Sequence, residues 1–130
     1  MKTELTYLAL AAALTGILWV PYILDRIVKW GLVPAVSYPE NPPAQSPWAQ
    51  RMMRAHGNAA ENLVVFATLV LVATALGITG GVVATAAMVY FWARVVHVVA
   101  YTLAVPWVRT LAFFVGFLAQ AVVAWQILVR

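Results

Sequence analysis

The sequence predicts an all-α integral membrane protein, a bundle of four transmembrane helices in an up-and-down arrangement. Its composition is the first observation: of 130 residues, 65% are hydrophobic and only 9% are charged, which excludes an ordinary soluble domain. The second is the grouping of the hydrophobic residues into four long runs. Each run reaches the ~20 residues that a helix needs to cross a bilayer. We therefore expect a single membrane domain over 1–130.

The four predicted helices cover about 5–24, 48–76, 82–105 and 107–129. The first run is too long for a signal peptide and no small-residue cleavage site follows it, so we expect an uncleaved and uncharged first helix. GITGG at 77–81 predicts a tight turn, and Pro106 predicts a break between the last two helices. The segment 25–47 contains YPENPPAQSP, with four prolines in ten residues. It is predicted to be an ordered or semi-rigid loop.

Basic residues predict the orientation of the chain in the membrane. Five of them fall on the side of the membrane that has the long loop and the connection between the last two helices: Arg26, Lys29, Arg51, Arg54 and Arg109. The opposite side has only two, both at the termini. The positive-inside rule therefore predicts a multi-pass protein with its long loop in the cytoplasm and both termini on the other side.

Charge and cysteine content exclude several functions. The net charge is +4, but the basic residues are scattered among apolar runs and cannot form a phosphate-tracking patch, so we expect no nucleic-acid partner. The chain has no cysteine, which excludes disulfides, thiolate metal sites and a protein thiol nucleophile. No metal is expected, and the partners expected from composition are membrane lipids and a small ligand.

Two polar stripes interrupt the apolar runs. The first stripe, on the second helix, consists of Arg51, Arg54, Asn58 and Glu61, and the second, on the third helix, consists of Arg94, His97 and Tyr101. Each stripe lies on one helix face, the first within about 80°. Counted from the loop side, Glu61 lies about 20 Å and Arg94 about 17 Å deep. We expect these opposite charges to meet in a polar cleft open to the cytoplasm, because ionisable groups at membrane depth are costly and usually functional.

The residue types in the two stripes suit a small zwitterionic polyanion. Arginine pairs with carboxylates, glutamate accepts from an ammonium group, and Asn or Tyr satisfies peptide groups. Glutathione has all of these groups and a thiol. Composition alone does not single it out from other amino-acid conjugates.

Other interpretations stay open at this point. Glu61 and Arg94 alone are compatible with an ion pair that only locks two helices. His56 and His97 lie at about the same depth, roughly 12 Å, so a bis-histidine haem bundle is an alternative. A small multidrug transporter has a similar size, but it needs an ionisable residue in a drug-facing helix, and the first helix is predicted to be uncharged.

Three motifs carry a resemblance to a known family. They are R-x-x-R-A-H-x-N-x-x-E-N at 51–62, A-R-x-x-H-x-x-x-Y at 93–101 and P-x-x-R-T-x-x-F at 106–113. In spacing and order they resemble the MAPEG superfamily, the membrane-associated proteins in eicosanoid and glutathione metabolism, and within it the microsomal glutathione transferases. The resemblance implies a homotrimer of four-helix bundles that binds glutathione as co-substrate between neighbouring subunits. It also implies transferase or peroxidase activity toward hydrophobic electrophiles or lipid hydroperoxides.

The resemblance also assigns residues. Those matching glutathione-binding positions are Arg54, Asn58, Glu61, Arg94, His97 and Tyr101. Arg109 matches the arginine beside the glutathione sulfur, and Thr110 stands where the prostaglandin synthase has a serine, so both are candidate catalytic residues. Arg26 and Lys29 are candidates for a contact across the subunit boundary. Phe113 stands where a tyrosine hydroxyl often lies, which argues against prostaglandin-synthase activity.

Overall fold

The computed structural model describes residues 1–129, and this part of the chain is helical with no strand. Its helices are α1 (Thr3–Ile17), α2 (Trp19–Trp30), α3 (Leu32–Ala35), α4 (Pro47–Ala75), α5 (Gly81–Thr102) and α6 (Pro106–Leu128). Four spans are long and apolar enough to cross a membrane: α1 together with α2, then α4, α5 and α6. The predicted fold class, an all-α membrane protein with four spanning helices, is confirmed.

The first span is longer than predicted and is bent. Leu18 separates α1 from α2 and keeps helical backbone angles, and Pro21 lacks the N–H that would bond four residues back to Ile17. The helix then continues to Trp30, six residues beyond the predicted end at 24, so the prediction of a loop over 25–47 is wrong at its start. The charges that suggested a helix end are instead accommodated on the last turns of α2, which ends at Gly31 with a φ of +87°.

The connections between the later helices follow the predicted breaks. Gly77 and Gly80, with φ of +77° and +72°, form the turn between α4 and α5. Pro47 and Pro106 occupy the first turns of α4 and α6, where a missing N–H removes no helix bond. The predicted helix ends here differ from the observed ones by at most three residues.

Helix α5 is the centre of the bundle and packs against α1, α4 and α6. Its contact with α6 is built from small residues, including Ala93 and Ala100 on α5 and Ala112, Gly116 and Ala119 on α6. Small side chains let helix backbones approach closely, which is how helices associate in lipid. The close approach of α5 and α6 therefore follows directly from the sequence.

The long loop is held in place by hydrogen bonds to α2, as an ordered loop requires. The Asp25 carboxylate accepts hydrogen bonds from the Ser46 N–H at 3.0 Å, the Ser46 hydroxyl at 2.6 Å and the Gln45 amide at 3.3 Å. The Trp30 indole N–H donates to the Pro43 carbonyl at 2.6 Å. We call the end of the bundle that carries these contacts and the α5–α6 turn the loop end.

The opposite end of the bundle contains an acidic residue that the sequence analysis placed before the first helix. Glu4 lies in the first turn of α1 and is buried, and its carboxylate accepts a hydrogen bond from the Gly80 N–H at 3.3 Å. The prediction of an uncharged first helix is therefore wrong at its first turn. This hydrogen bond connects the first turn of α1 to the turn between α4 and α5.

Candidate functional site

Helices α4 and α5 bring together three of the predicted site residues. Arg94 Nη2 donates to Asn58 Oδ1 at 2.7 Å and lies 3.3 Å from His97 Nδ1. Arg94 is only 4% exposed and His97 only 2% exposed. The two polar stripes therefore meet inside the bundle, through Asn58 of the first stripe and Arg94 and His97 of the second.

The Arg94 guanidinium fixes which hydrogen-bonding groups its neighbours can offer. Arginine has donors only, so Asn58 Oδ1 and His97 Nδ1 must both accept. A second donor, Asn62 Nδ2, also points to Asn58 Oδ1 at 3.3 Å. Asn58 is thus left with its amide N–H groups to donate, and a neutral His97 has its proton on Nε2.

A cavity of about 290 Å³ opens beside this cluster. Its lining residues are Asn58, His97, Tyr101, Arg109, Thr110 and Phe113. We call it the polar cavity. It contains five of the residues predicted to bind or activate a ligand, and none of its lining side chains is a carboxylate. Because its amide, imidazole, phenol and guanidinium groups all donate, the polar cavity suits an acceptor-rich anionic molecule.

Arg109 lies in the first turn of α6, where it reaches back toward α5. The centre of its guanidinium is 4.6 Å from the centroid of the Tyr101 ring, a cation–π distance. Thr110 Oγ1 is 3.4 Å from the Pro106 carbonyl oxygen, a long hydrogen bond that leaves the hydroxyl weakly held. Arg109 therefore supplies a positioned permanent cation at one wall of the polar cavity.

Arg54 and Glu61 lie elsewhere than the sequence analysis placed them. Both are exposed on α4, and Arg94 donates to Asn58 and not to Glu61. The predicted ion pair between Glu61 and Arg94 is therefore not formed within residues 1–129. Glu61 lies about 60° around the helix from Asn58, outside the α4–α5 contact that Asn58 makes with Arg94.

Two amide residues behind the cluster were missed by the sequence analysis. Gln120, buried on α6, donates from Nε2 to the Asn62 carbonyl at 3.2 Å. Asn62 Nδ2 donates in turn to the Asn58 carbonyl at 2.9 Å. An isolated glutamine inside the apolar run of α6 was the available signal. These contacts link α6 and α4 to the residue that holds Arg94.

The arginine proposed for a contact across a subunit boundary is engaged within its own chain. Arg26 Nε donates to Gln45 Oε1 at 2.9 Å, and its guanidinium lies 5.1 Å from the centroid of the Trp30 ring. Lys29 is exposed on the last turn of α2. Arg26 is therefore held by contacts within its own chain, whereas the structure of residues 1–129 gives no hydrogen bond for the Lys29 side chain.

The two histidines face different parts of the bundle. His56 Nδ1 is 2.7 Å from the Tyr22 hydroxyl on α2, whereas His97 lies beside Arg94. His56 is two residues from Asn58, so the two side chains point about 200° apart around α4. A haem held between His56 and His97 of one chain does not fit this geometry.

The fold and the polar cavity define a class, a four-span membrane protein with a cavity between its helices that is rich in hydrogen-bond donors and includes an arginine. Comparison with known proteins then gives the family. The MAPEG family model matches residues 8–129, nearly the whole chain, and the protein belongs to the MAPEG family. No match to a curated protein or to a solved structure was found.

Proposed function

We propose that this protein is a glutathione-dependent membrane enzyme that activates the glutathione thiolate against hydrophobic electrophiles or lipid hydroperoxides. Membership of the MAPEG family is consistent with glutathione-related or eicosanoid metabolism. The single observation that supports the proposal most strongly is the polar cavity, in which Arg109 lies beside Asn58, His97 and Tyr101. This is a donor-rich site with a permanent cation at its wall.

The carboxylates, the ammonium group, a peptide carbonyl and the sulfur of glutathione would each meet a complementary group at or beside the polar cavity. The Asn58 amide and the His97 Nε2–H are donors for a carboxylate or a peptide carbonyl. Arg54 and Glu61 lie on the adjoining exposed face of α4, where they would pair with a carboxylate and with the ligand ammonium group. Buried Arg94 contributes by fixing Asn58 and His97. The glutathione sulfur is then assigned to the side of the polar cavity that Arg109 lines.

The chemistry assigned to Arg109 is stabilisation of a thiolate. A free thiol has a pKa of about 8.5, so only a few per cent is ionised at pH 7, although the thiolate is the nucleophile. A guanidinium within hydrogen-bonding reach lowers that pKa, and the N-terminus of α6 adds a favourable dipole. In the transferase reaction the thiolate forms a C–S bond and the leaving group departs with the electron pair. In the peroxidase reaction two glutathione molecules become the disulfide while the hydroperoxide becomes an alcohol and water.

The orientation proposed for the site follows from the distribution of charge. Arg26, Lys29, Arg51, Arg54 and Arg109 all belong to the loop-end half of the bundle. By the positive-inside rule this end faces the cytoplasm. Glutathione would then reach the polar cavity from the cytoplasm, and the hydrophobic substrate would reach it from the bilayer.

The exposed face of α4 supports a homotrimer with shared sites. This face, which we call the exposed α4 strip, consists of Arg54, Gly57, Glu61, Val64, Val65 and Thr68. Glu61 lies about 21 Å along α4 from Pro47, at 1.5 Å per residue. A charged group facing lipid at that depth costs several kcal/mol, about 2.5–3.5 by insertion scales. We propose that neighbouring subunits cover the strip, which also closes the open side of the polar cavity.

The trimer predicts the effect of a bulky residue on the exposed α4 strip. Thr68→Trp should disrupt the assembly, because a large side chain cannot fit where helices pack closely. Ala121→Trp is the matched control, since Ala121 is also small and exposed but lies on α6. Native mass spectrometry from mild detergent should give mainly trimers for the unaltered protein and for the control, and smaller species for Thr68→Trp. A monomer or dimer as the main species of the unaltered protein would contradict the trimer.

The proposed function is tested by glutathione binding and by thiol-dependent turnover of purified protein. We expect saturable binding in calorimetry and turnover with hydrophobic aryl halides or lipid hydroperoxides. Asn58→Ala should weaken glutathione binding by about tenfold or more, as expected for loss of a hydrogen bond to a charged group. Asn41→Gly, in the exposed loop, is the control and should bind normally. Absence of both binding and turnover in the unaltered protein would refute the proposal.

A further inference from the structure

Gln120 is a buried polar side chain inside the apolar run of α6, and the proposed mechanism does not use it. It is only 6% exposed, and its Nε2 donates to the backbone carbonyl of Asn62 on α4 at 3.2 Å. Asn62 lies one turn from Asn58, and its Nδ2 donates to the Asn58 carbonyl at 2.9 Å and lies 3.3 Å from Asn58 Oδ1. Gln120 therefore connects α6 to the segment of α4 that carries Asn58 into the polar cavity.

We propose that Gln120 is a positioning residue that fixes α6 along the axis of α4 and thereby sets the separation of Arg109 from Asn58 across the polar cavity. Asn58 is assigned to oxygen atoms of the ligand and Arg109 to its sulfur, so this separation decides whether a bound thiol lies at the guanidinium. The inference rests on the proposed function for its effect on the reaction. The contact between Gln120 and Asn62 does not rest on it and is measured without glutathione.

Arg109 and Gln120 lie on the same face of α6. They are 11 residues apart, which corresponds to about 17 Å along the helix and to a rotation of only about 20°. Gly116 lies between them on this face, where a Cβ would meet Arg94 Cδ at 3.7 Å. The face of α6 that begins with Arg109 therefore passes the buried guanidinium of the site and reaches the hydrogen bond of Gln120. Because one helix carries both ends, a shift of α6 along its axis at Gln120 also moves Arg109.

The apolar contacts between α4 and α6 do not fix an axial position by themselves. At the level of Gln120, Phe66 of α4 belongs to the same hydrophobic cluster as Ala119 and Val123 of α6. Dispersion contacts of this kind are individually weak and tolerate small displacements, whereas a hydrogen bond weakens when its donor leaves a narrow range of distance and angle. Polar side chains between membrane helices supply such directional contacts. Gln120 adds this directional contact between α6 and α4.

A residue that only stabilised the bundle would have a different effect. Its loss would lower the amount of folded protein, but the molecules that remained folded would turn over bound glutathione at the normal rate. Loss of a positioning residue changes the rate in the folded molecules, since a misplacement of about 1 Å can cost about 100-fold. Turnover per bound glutathione therefore distinguishes the two roles.

The first test is the replacement of Gln120 by methionine, which has a similar length but no hydrogen-bond donor. We expect glutathione affinity by calorimetry to stay nearly unchanged and kcat per bound glutathione to fall about 10–100-fold. The acid limb of the pH–rate profile should move to higher pH, because the thiolate loses part of its contact with the Arg109 guanidinium. Unchanged kcat and an unchanged pH–rate profile in folded Gln120→Met would overturn the proposal.

Gln126→Met is the matched control on the same helix. Gln126 is half-buried on α6, and the structure of residues 1–129 gives no hydrogen bond for its side chain. The replacement should leave affinity, kcat and the pH–rate profile unchanged. An equal loss of kcat in both variants would show that α6 tolerates no such replacement and would overturn the assignment to Gln120.

The contact itself is tested by carbonyl NMR on protein without glutathione. The chain has three asparagines, Asn41, Asn58 and Asn62, so labelling of the asparagine backbone carbonyls with ¹³C gives three signals. Loss of a hydrogen bond changes the chemical shift of the carbonyl that accepted it. Gln120→Met should therefore move the Asn62 signal and leave the signal of Asn41, in the exposed loop, in place. An Asn62 signal that does not move would overturn the proposal.

Gln120→Asn decides the case in which Gln120→Met does not fold. Its side chain keeps the amide but is one carbon shorter, so the hydrogen bond forms only if α6 moves. We expect the same direction of change in kcat and in the pH–rate profile, and normal values in the folded variant would overturn the proposal. Failure of both variants to fold would assign Gln120 to stability and overturn it as well. A protein that binds no glutathione, yet shows the shift of the Asn62 signal, would refute the proposed function and support the contact that positions α6.

Discussion

Replacement of Arg109 by alanine is expected to retain glutathione binding and to abolish most of the turnover at pH 7. The physical reason is that Arg109 is the cation at the wall of the polar cavity to which we assign the thiolate. Removing a single positioned electrostatic group of this kind typically lowers kcat by about 10²–10³-fold. The measurement is steady-state kinetics with calorimetric binding of glutathione on the same preparation.

The pH dependence of the Arg109 variant separates loss of thiolate stabilisation from general damage. A unit of thiol pKa corresponds to about 1.4 kcal/mol. Without the guanidinium the pKa of bound glutathione rises, so the acid limb of the pH–rate profile should move to higher pH and activity should partly recover in alkali. Arg109→Lys keeps a cation, so its turnover and the acid limb of its pH–rate profile should lie between those of the unaltered protein and those of Arg109→Ala. Unchanged turnover at pH 7 in Arg109→Ala would contradict the mechanism.

Replacement of Arg94 by methionine should abolish glutathione binding while the protein still folds. Met keeps most of the buried volume but leaves His97 Nδ1 without its donor and Asn58 Oδ1 with only the longer bond from Asn62 Nδ2 at 3.3 Å, and an unsatisfied buried group costs about 1–3 kcal/mol. Part of this loss is offset, since one Arg94 nitrogen, Nε, is itself buried without a partner in the described chain. We therefore expect a moderate loss of thermal stability and a fall in affinity of about 100-fold or more.

The Arg94 prediction is checked by calorimetry and by thermal unfolding in detergent. Arg94→Lys is the matched variant, because it keeps the positive charge but replaces the planar guanidinium, whose Nη2 contacts both Asn58 and His97, with a compact ammonium group on a flexible stem. It should fold and bind with intermediate affinity. Normal glutathione affinity in Arg94→Met would mean that Asn58 and His97 do not depend on this guanidinium, and the site as described would be wrong.

The sequence predicted the four spans well and placed the two polar stripes at comparable positions along neighbouring helices, because both depend on local regularities. Bilayer thickness sets the length of a spanning helix, and a rise of 1.5 Å per residue gives the depth of each side chain. Asn58, Arg94 and His97 were therefore correctly brought together. The break at Pro106 placed Arg109 at the start of the last helix, and the family resemblance gave it as a candidate site residue.

The errors concern quantities that depend on the packing of one helix against another. The rotation of α4 in the bundle decides that Asn58 meets Arg94 while Glu61 lies exposed, and depth alone could not give it. Gln120 donates a hydrogen bond to the backbone carbonyl of Asn62. A motif made of side chains cannot predict a contact to a backbone group. The continuation of α2 to Trp30 places Asp25 within the helix, where its carboxylate accepts hydrogen bonds from Ser46, 21 residues along the chain.

The exposed face of α4 carries two predicted ligand-binding residues that the structure of one chain leaves apart from the polar cavity. Arg54 and Glu61 were predicted to bind the ligand, and both lie outside the polar cavity in one chain. Their assignment stays a prediction that depends on the proposed trimer. Variants of Glu61 should accordingly be interpreted only after the oligomeric state has been measured.

The most direct test of the central claim is the ultraviolet absorption of the thiolate when glutathione is mixed with the unaltered protein at pH 7. Activation by Arg109 predicts a new thiolate band that saturates with the binding isotherm and disappears when the pH is lowered well below the pKa of the bound thiol. It should be absent in Arg109→Ala at the same degree of saturation. Glutathione bound stoichiometrically with no thiolate band at pH 7 would contradict the account.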